Sequence, residues 1–493
     1  MPNQNRSSPA AALPPEARKT LALHVLAGPQ GVAELARAHN VSRPFVYRQA
    51  ALAHTALDAA FAILAKDEDE VIFYLPVTKA WLRQLALALL LICHSSLRGV
   101  IELFRDLLDV DISLGGVHNI VKTSVARSRV LQADERLGGV RVGAHDEIFQ
   151  GREPVLVGVD AFSTYCYLLS PETSRDSDTW AIRLLELSDK DIKPAYTVAD
   201  GGTGLRAGQT LAWPGIPCNG DVFHALLDAG RVACYLENRA LGAWREEEKE
   251  QRRMDRATRN GRGNTCSKRL ALASAKARLA VQLADDIAIL CAWLRDDILA
   301  LNALDFATRR VLLDLVISEL RQREAFAPHR LTPLRTMLEN QGDALLAFAT
   351  ELDGKLAALA LELDVPLDSL ADLFNTLARD TNIESVPAVL QQRLGTAFTA
   401  AVNALGEIRD GIVRASSVVE NLNSRLRNYF FLRRSVGPKY LDLLRFFLNH
   451  RRFLRSEHPG REGKSPAELL TGQPHSHWLE LLGYTPFRRA AAA

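Results

Sequence analysis

The sequence predicts a mixed α/β fold: a five-stranded mixed sheet with flanking helices, preceded by an all-α helix-turn-helix region and interrupted by an all-α insertion domain. Three observations predict it. Residues 140–224 alternate period-2 and period-3.6 apolar patterns in the order strand, strand, strand, helix, strand, helix, strand. Residues 18–135 carry helix caps and helical periodicity without strand patterns. From about 226 to 405 the chain is dominated by Ala, Leu and charged residues, with amphipathic stretches such as Leu270–Leu299 and Ala303–Leu320.

A chain of 493 residues exceeds one ordinary core. The composition shifts divide it into a flexible tail (1–17), a helix-turn-helix (18–66), a second helical region of the same grammar (67–135), the first part of the sheet domain (136–225), the helical insertion (226–405), and a second part with a C-terminal tail (406–493). With 47% hydrophobic and 24% charged residues it reads as globular. The apolar run Leu85–Cys93 is far shorter than the roughly 20 residues that span a bilayer, and no signal pattern opens the chain, so a cytoplasmic protein with no membrane partner is expected. Six cysteines without paired Cys-x-x-Cys spacing point to a reduced protein without structural zinc. A net charge of +2 decides nothing by itself, but basic residues cluster at 245–269 and 425–455.

In chain order, Gly31–Arg48 has a small residue at Ala36 where two helices would cross, Asn40 suited to a left-handed turn, and Ser42 as an N-cap. Arg43, Arg48 and Gln49 would then face a DNA major groove, the alternative being an ordinary helical hairpin. Leu97–Leu108, Ser113 as cap and Leu114–Lys122 repeat the pattern with few basic side chains, leaving packing and DNA roles both open.

Val140–Phe149 reads as the first strand, Gln150–Pro154 as a turn, Val155–Asp160 as the second strand and Tyr165–Leu169 as the third. Ser177 or Asp178 would cap a helix with Trp180, Leu184 and Leu187 on one face, leading to a strand at Ala195–Asp200. A crossover helix makes that strand parallel to the first. A short helix then leads to Ile216–Cys218 and on to Asp221 and His224. Far downstream, Ser416–Tyr429 forms a helix whose Leu422 and Leu426 can face the sheet, with Glu420 and Asn423 on the adjoining edge. A helix over Tyr440–Phe453 follows. The segment Gly463–Gly472 lacks the glycine spacing and preceding strand of a phosphate loop.

The strand and helix order of 140–226, completed by 414–475, resembles the RNase H-like fold of DDE transposases and retroviral-type integrases. The Glu420-x-x-Asn423 helix is similar to those of insertion-sequence transposases. Asp221-Val222-Phe223-His224 resembles their Asp-x-Phe-His and the Cys-x-x-His of hAT enzymes, and the insertion stands where hAT proteins carry theirs. Gly463-Lys464-Ser465-Pro466-Ala467-Glu468 looks like the tail that follows many such cores. The resemblance implies a transposase in which Asp146, Asp200 and Glu420 hold two Mg²⁺ ions, Mn²⁺ substituting, for DNA nicking and strand transfer. It implies supporting roles for Asp221, His224, Asn423 and Glu147, and DNA contacts from Arg425, Arg427, Arg433 and Arg434. Its partners would be double-stranded DNA (terminal inverted repeats and target) and further copies of itself, bound at the nucleoid. A catalytically silent regulator, or a nuclease or resolvase on the same fold, are the alternatives.

Asp160 competes with Asp146 for the first position. Starting at Asp160 would leave the meander one strand short, and six residues of antiparallel strand would set it roughly 20 Å from Asp200.

Overall fold

The computed structural model describes residues 10, 13–28, 30–61, 73–262, 266–380, 382–431, 437–456, 458 and 460–487. Arg433, Arg434 and most of the expected N-terminal tail lie outside the described residues. The chain divides into two compact units, Met1–Val77 and Thr78–Ala493.

In the first unit α1 (Pro15–Ala27), α2 (Val32–Ala38) and α3 (Arg43–Phe61) bury Leu21, Ala36 and Val46 against one another. Asn40 takes φ 52°, and Ser42 Oγ accepts the Phe45 N–H at 3.3 Å, closing the tight turn before α3. Arg43 and Arg48 are exposed on α3, whereas Gln49 is half-buried.

The second unit opens with α4 (Lys79–Leu91), α5 (Leu97–Leu108) and α6 (Leu114–Ala133). Asp109 ends α5 in the left-handed conformation at φ 51°, and Ser113 Oγ accepts the Gly116 N–H at 3.0 Å to start α6. These helices are built into the sheet domain: Leu87, Leu91 and Val125 join its core, and Arg129 pairs with Asp442 at 2.6 Å.

Five strands, β1 (Val142–Gln150), β2 (Glu153–Asp160), β3 (Cys166–Pro171), β4 (Tyr196–Ala199) and β5 (Cys218–Gly220), lie in the order β3-β2-β1-β4-β5. The first three form an antiparallel meander, and β4 and β5 join parallel to β1. The expected five-residue turn at 150–154 is shorter. Gln150 pairs with Glu153, and Gly151 at φ 65° lets two residues turn the chain while matching the strand twist.

Alternation along β2 separates two cores. Leu156 points to the side of α7 (Ser177–Ser188) and α8 (Thr203–Ala212), where Trp180, Leu184, Leu187 and Leu205 are buried. Val155, Val157 and Val159 point to the other side, packing with Val419, Leu422 and Leu426 of the later α16 (Ser417–Phe431) and with α17 (Pro438–His450). The cap of α7 is Asp176 rather than Ser177 or Asp178. Its carboxylate collects the Thr179 N–H, the Thr179 hydroxyl and the Ser174 hydroxyl, more donors than either neighbour receives.

Between β5 and α16 run α9 (Val222–Arg259), α10 (Ser267–Trp293), a π-helical turn (Leu294–Ile298), α11 (Phe306–Arg323), α12 (Pro328–Leu363), α13 (Leu367–Arg379), α14 (Ala388–Leu394) and α15 (Phe398–Gly411), around a core of their own. Helix α9 starts at Val222, so His224 lies inside it rather than ahead of the insertion. Fully buried Arg309 donates to the carbonyls of Asp297, Ile298, Ala300, Asn302 and Leu304, satisfying the groups that the π turn and following bends leave open. Helix α12 covers the β5 edge of the sheet, with Leu345 against Gly220.

The chain finishes with α18 (Pro466–Thr471) and α19 (Trp478–Leu481). The Gly463–Gly472 motif is a capping box: Ser465 Oγ accepts the Glu468 N–H at 3.1 Å and Glu468 accepts the Ser465 N–H at 2.8 Å. Among the described residues no helix is long and apolar enough to cross a membrane.

Candidate active site

Strand β1 carries Asp146 on the face covered by α16. Its neighbour His145 pairs with Ala199, the last residue of β4, so Asp200 leaves that parallel strand beside Asp146. Glu420 stands in the first turn of α16, whose apolar Val419, Leu422 and Leu426 fix it on the sheet. Both Asp200 and Glu420 act on the Asp146 carboxyl. Burial pushes its pKa up, the Glu147 N–H at 2.8 Å opposes this, and the charges of Glu420 and Asp200 raise it further, to about 7.

Polar neighbours hold the group. Asp221 is fully buried at the end of β5, where it caps α9 by accepting the Phe223 N–H at 2.8 Å and takes the Ser416 hydroxyl on its other oxygen. Burial opposes its charge, but the hydrogen bonds from His224 and Ser416 outweigh this and keep the carboxyl below its usual range. His224 places Nδ1 2.7 Å from Asp221, and that bond outweighs burial to raise the imidazole to about 9. The resulting imidazolium sets Nε2 3.3 Å from Glu420, whose second oxygen has Arg427 at 3.8 Å. Asn423 donates Nδ2–H to Asp146 at 2.7 Å, leaving its buried Oδ1 without a hydrogen-bond partner.

Two positioning residues were not foreseen. Arg206 of α8 donates to the carbonyls of Ala199, Asp200, Cys218 and Asn219, tying together the strand ends from which Asp200 and Asp221 emerge. In sequence it is one arginine on a short helix, with nothing to distinguish it from a solvated one. Ser416 could have been suspected from its place just before an apolar helix, but its tie to Asp221 spans the whole insertion.

Not all expected members join. Glu147 follows Asp146 and so points to the opposite face, where it accepts the Trp180 indole N–H at 3.0 Å and pairs with Arg175 at 2.9 Å. Arg425 is half-buried on the far side of α16, near Cys166. Arg43, Arg48 and Gln49 belong to the other unit. Asp160 pairs with Gly143, three residues from Asp146 and on the opposite face, and it binds the backbone N–H of Arg141 and of Ser163 at 3.0 and 2.7 Å. Gly143 also pairs with Thr197, so Asp160 is offset from Asp200 by three residues, about 10 Å along the strand direction rather than the expected value of roughly 20 Å.

Among the described residues no three His, Cys, Asp or Glu side chains are gathered as a ready-made metal-ligand group; here Glu420 faces His224 and Arg427 instead. The donor chemistry nonetheless suits a hard divalent cation. The Asp146 carboxyl, under the charges of Glu420 and Asp200, is pushed up to about 7, and a buried amide oxygen lacks a donor. An open cavity of about 590 Å³, lined by Phe162, Phe223, Arg414, Ser417 and Arg461, lies between the start of α9 and the start of α16. Comparison with known proteins gives no matching family model and no curated protein of significant similarity.

Proposed function

We propose that this chain is a DNA transposase with an RNase H-like catalytic core, cleaving and joining phosphodiesters at Asp146, Asp200 and Glu420. The observation that carries the reading is that Asp200, at the end of parallel β4, and Glu420, on a helix about 220 residues later in the chain, both bear by their charge on Asp146 of β1 in a β3-β2-β1-β4-β5 sheet. Phosphodiester cleavage must stabilise charge on both attacking and leaving oxygens, and two divalent cations held by the three carboxylates would supply that stabilisation.

The chain's own groups do the rest. Asn423 orients Asp146, and His224, fixed by Asp221, orients Glu420. The positive charges of His224 and Arg427 stand against the Glu420 carboxylate. Arg43 and Arg48 on α3 would supply contacts to DNA ends, and Arg427 a contact beside the site. Joining two ends calls for more than one copy of the chain.

The test is incubation of purified protein with its element's terminal repeats, products being sized on a denaturing gel. Nicking is expected with Mg²⁺ or Mn²⁺ and none in chelator, and Glu420→Gln should stop cleavage while end binding persists. Asn423→Ala should cost about 10–100-fold, as for groups that hold a ligand in place. Full cleavage in chelator would refute the reading.

A further inference from the structure

On the far side of α16 lies a cluster of basic side chains. The turn between α4 and α5 holds His94 in the left-handed conformation, φ 56°. Tyr429 fixes this turn twice, donating its hydroxyl to Leu91 O at 2.5 Å and meeting the His94 ring edge-on at 4.4 Å. Arg425 lies one helical turn before Tyr429, and Arg451 leaves the end of α17 with its guanidinium 5.6 Å from the Phe447 ring. The three converge. Burial first, then the charges of Arg451 and Arg425, depress His94, and burial followed by Arg451 among the opposing charges lowers Arg425.

Among the described residues no carboxylate forms an ion pair with Arg425 or Arg451. Arg445, on α17 nearby, has Glu135 at 3.1 Å. The C-terminal dipole of α17 accounts for a cation at Arg451 but not for a second, half-buried one at Arg425. Desolvated like charges held together beside a strained non-glycine turn oppose folding, and such costs persist where a ligand repays them. Guanidinium forks match the oxygens of a phosphate, and a neutral imidazole adds a further donor.

We propose that Arg425, Arg451 and His94 form a binding site for one phosphate-class oxyanion, occupied in the working protein by a backbone phosphate of bound DNA. The identity of the DNA donor rests on the function proposed above; the oxyanion chemistry does not.

Thermal unfolding of the full chain, in chloride against sulfate or inorganic phosphate at equal ionic strength, tests the site. The wild type should unfold at a higher temperature in the oxyanion. Arg451→Gln should lose that increment yet unfold no earlier than wild type in chloride, since one repelling charge is gone, and Arg451→Lys should keep part of the increment. An Arg451→Gln protein retaining the full increment, or a wild type showing none, overturns the site. Duplex binding followed against salt tests the source. In Arg451→Gln the slope of log K on log salt should fall by about one. An unchanged slope together with a lost sulfate increment assigns the site to a free oxyanion and overturns the DNA source. A wild type that binds no DNA refutes the transposase reading, while the sulfate comparison still decides the site.

Discussion

Asp146 and Asp160 lie three residues apart in sheet register, and their surroundings give them different work. Asp160 is buried and accepts from the backbone N–H of Arg141, Val142 and Ser163 and from the Ser163 hydroxyl, which locks the β2–β3 turn. Asp146 has fewer donors and carboxylates for neighbours. Glu468 is a third case. Burial opposes its charge, but Arg452 and the N–H groups of His475 and Ser465 hold its pKa at about 2. A carboxyl depressed on folding contributes stability that is present above its ordinary value of 4.5 and is lost as pH falls toward about 2. The gap in unfolding midpoint between wild type and Glu468→Gln should therefore be full at pH 7 and close across that window; a pH-independent gap would show that the lost hydrogen bonds are not charge-assisted. Strand count and direction in the sequence sufficed to bring the end of β4 beside Asp146. Glu147 adjoins Asp146 in sequence, but strand alternation turns it to the opposite face, toward Trp180 and Arg175. Arg206 was invisible because its bonds run to carbonyls that fold up around it.

Periodicity and capping made the elements legible: the β1–β3 meander, the parallel β4, the turn at Asn40–Ser42 and the capped starts of α3 and α6 all follow residue chemistry that acts locally. Ends were less legible. Helix α17 stops at His450 rather than Phe453, and β5 covers Cys218–Gly220 rather than Ile216–Cys218, since tertiary partners choose among several locally acceptable stops. At this scale α3 gives a direct expectation. Arg43 and Arg48 are exposed on a helix that begins at a tight turn, so Arg43→Ala with Arg48→Ala should weaken sequence-specific end binding, by about 1–3 kcal/mol for each base that an arginine no longer reads. Anisotropy titrations against specific and scrambled duplexes check it. Equal weakening on both would assign the two arginines to phosphates, and unchanged binding to either would remove α3 from the reading.

Across the whole second unit, the insertion is part of the sheet's architecture. It starts within the first turn of α9 at the candidate site, returns through Ser416 to the same aspartate, and covers the sheet edge with α12. The sequence revealed the insertion as helical but not this docking, which depends on residues that meet from hundreds of positions apart. A Cβ at Gly220 would stand 2.9 Å from the Leu345 backbone nitrogen, so Gly220→Ala should destabilise the unit by about 1–3 kcal/mol, measurable by denaturant unfolding; an unchanged midpoint would mean the edge is only loosely covered. The proposed division of labour has Asp146, Asp200 and Glu420 acting on phosphodiesters and Asp160 serving the fold. Comparing Asp146→Asn with Asp160→Asn for Mg²⁺-dependent nicking and thermal unfolding, on the same preparations, tests it. Asp146→Asn is expected to abolish nicking with its stability kept or raised, because it removes a charge that burial and two carboxylates disfavour, while Asp160→Asn should lose about 1–3 kcal/mol of stability yet still nick. Nicking that survives in Asp146→Asn and vanishes in a folded Asp160→Asn would contradict it.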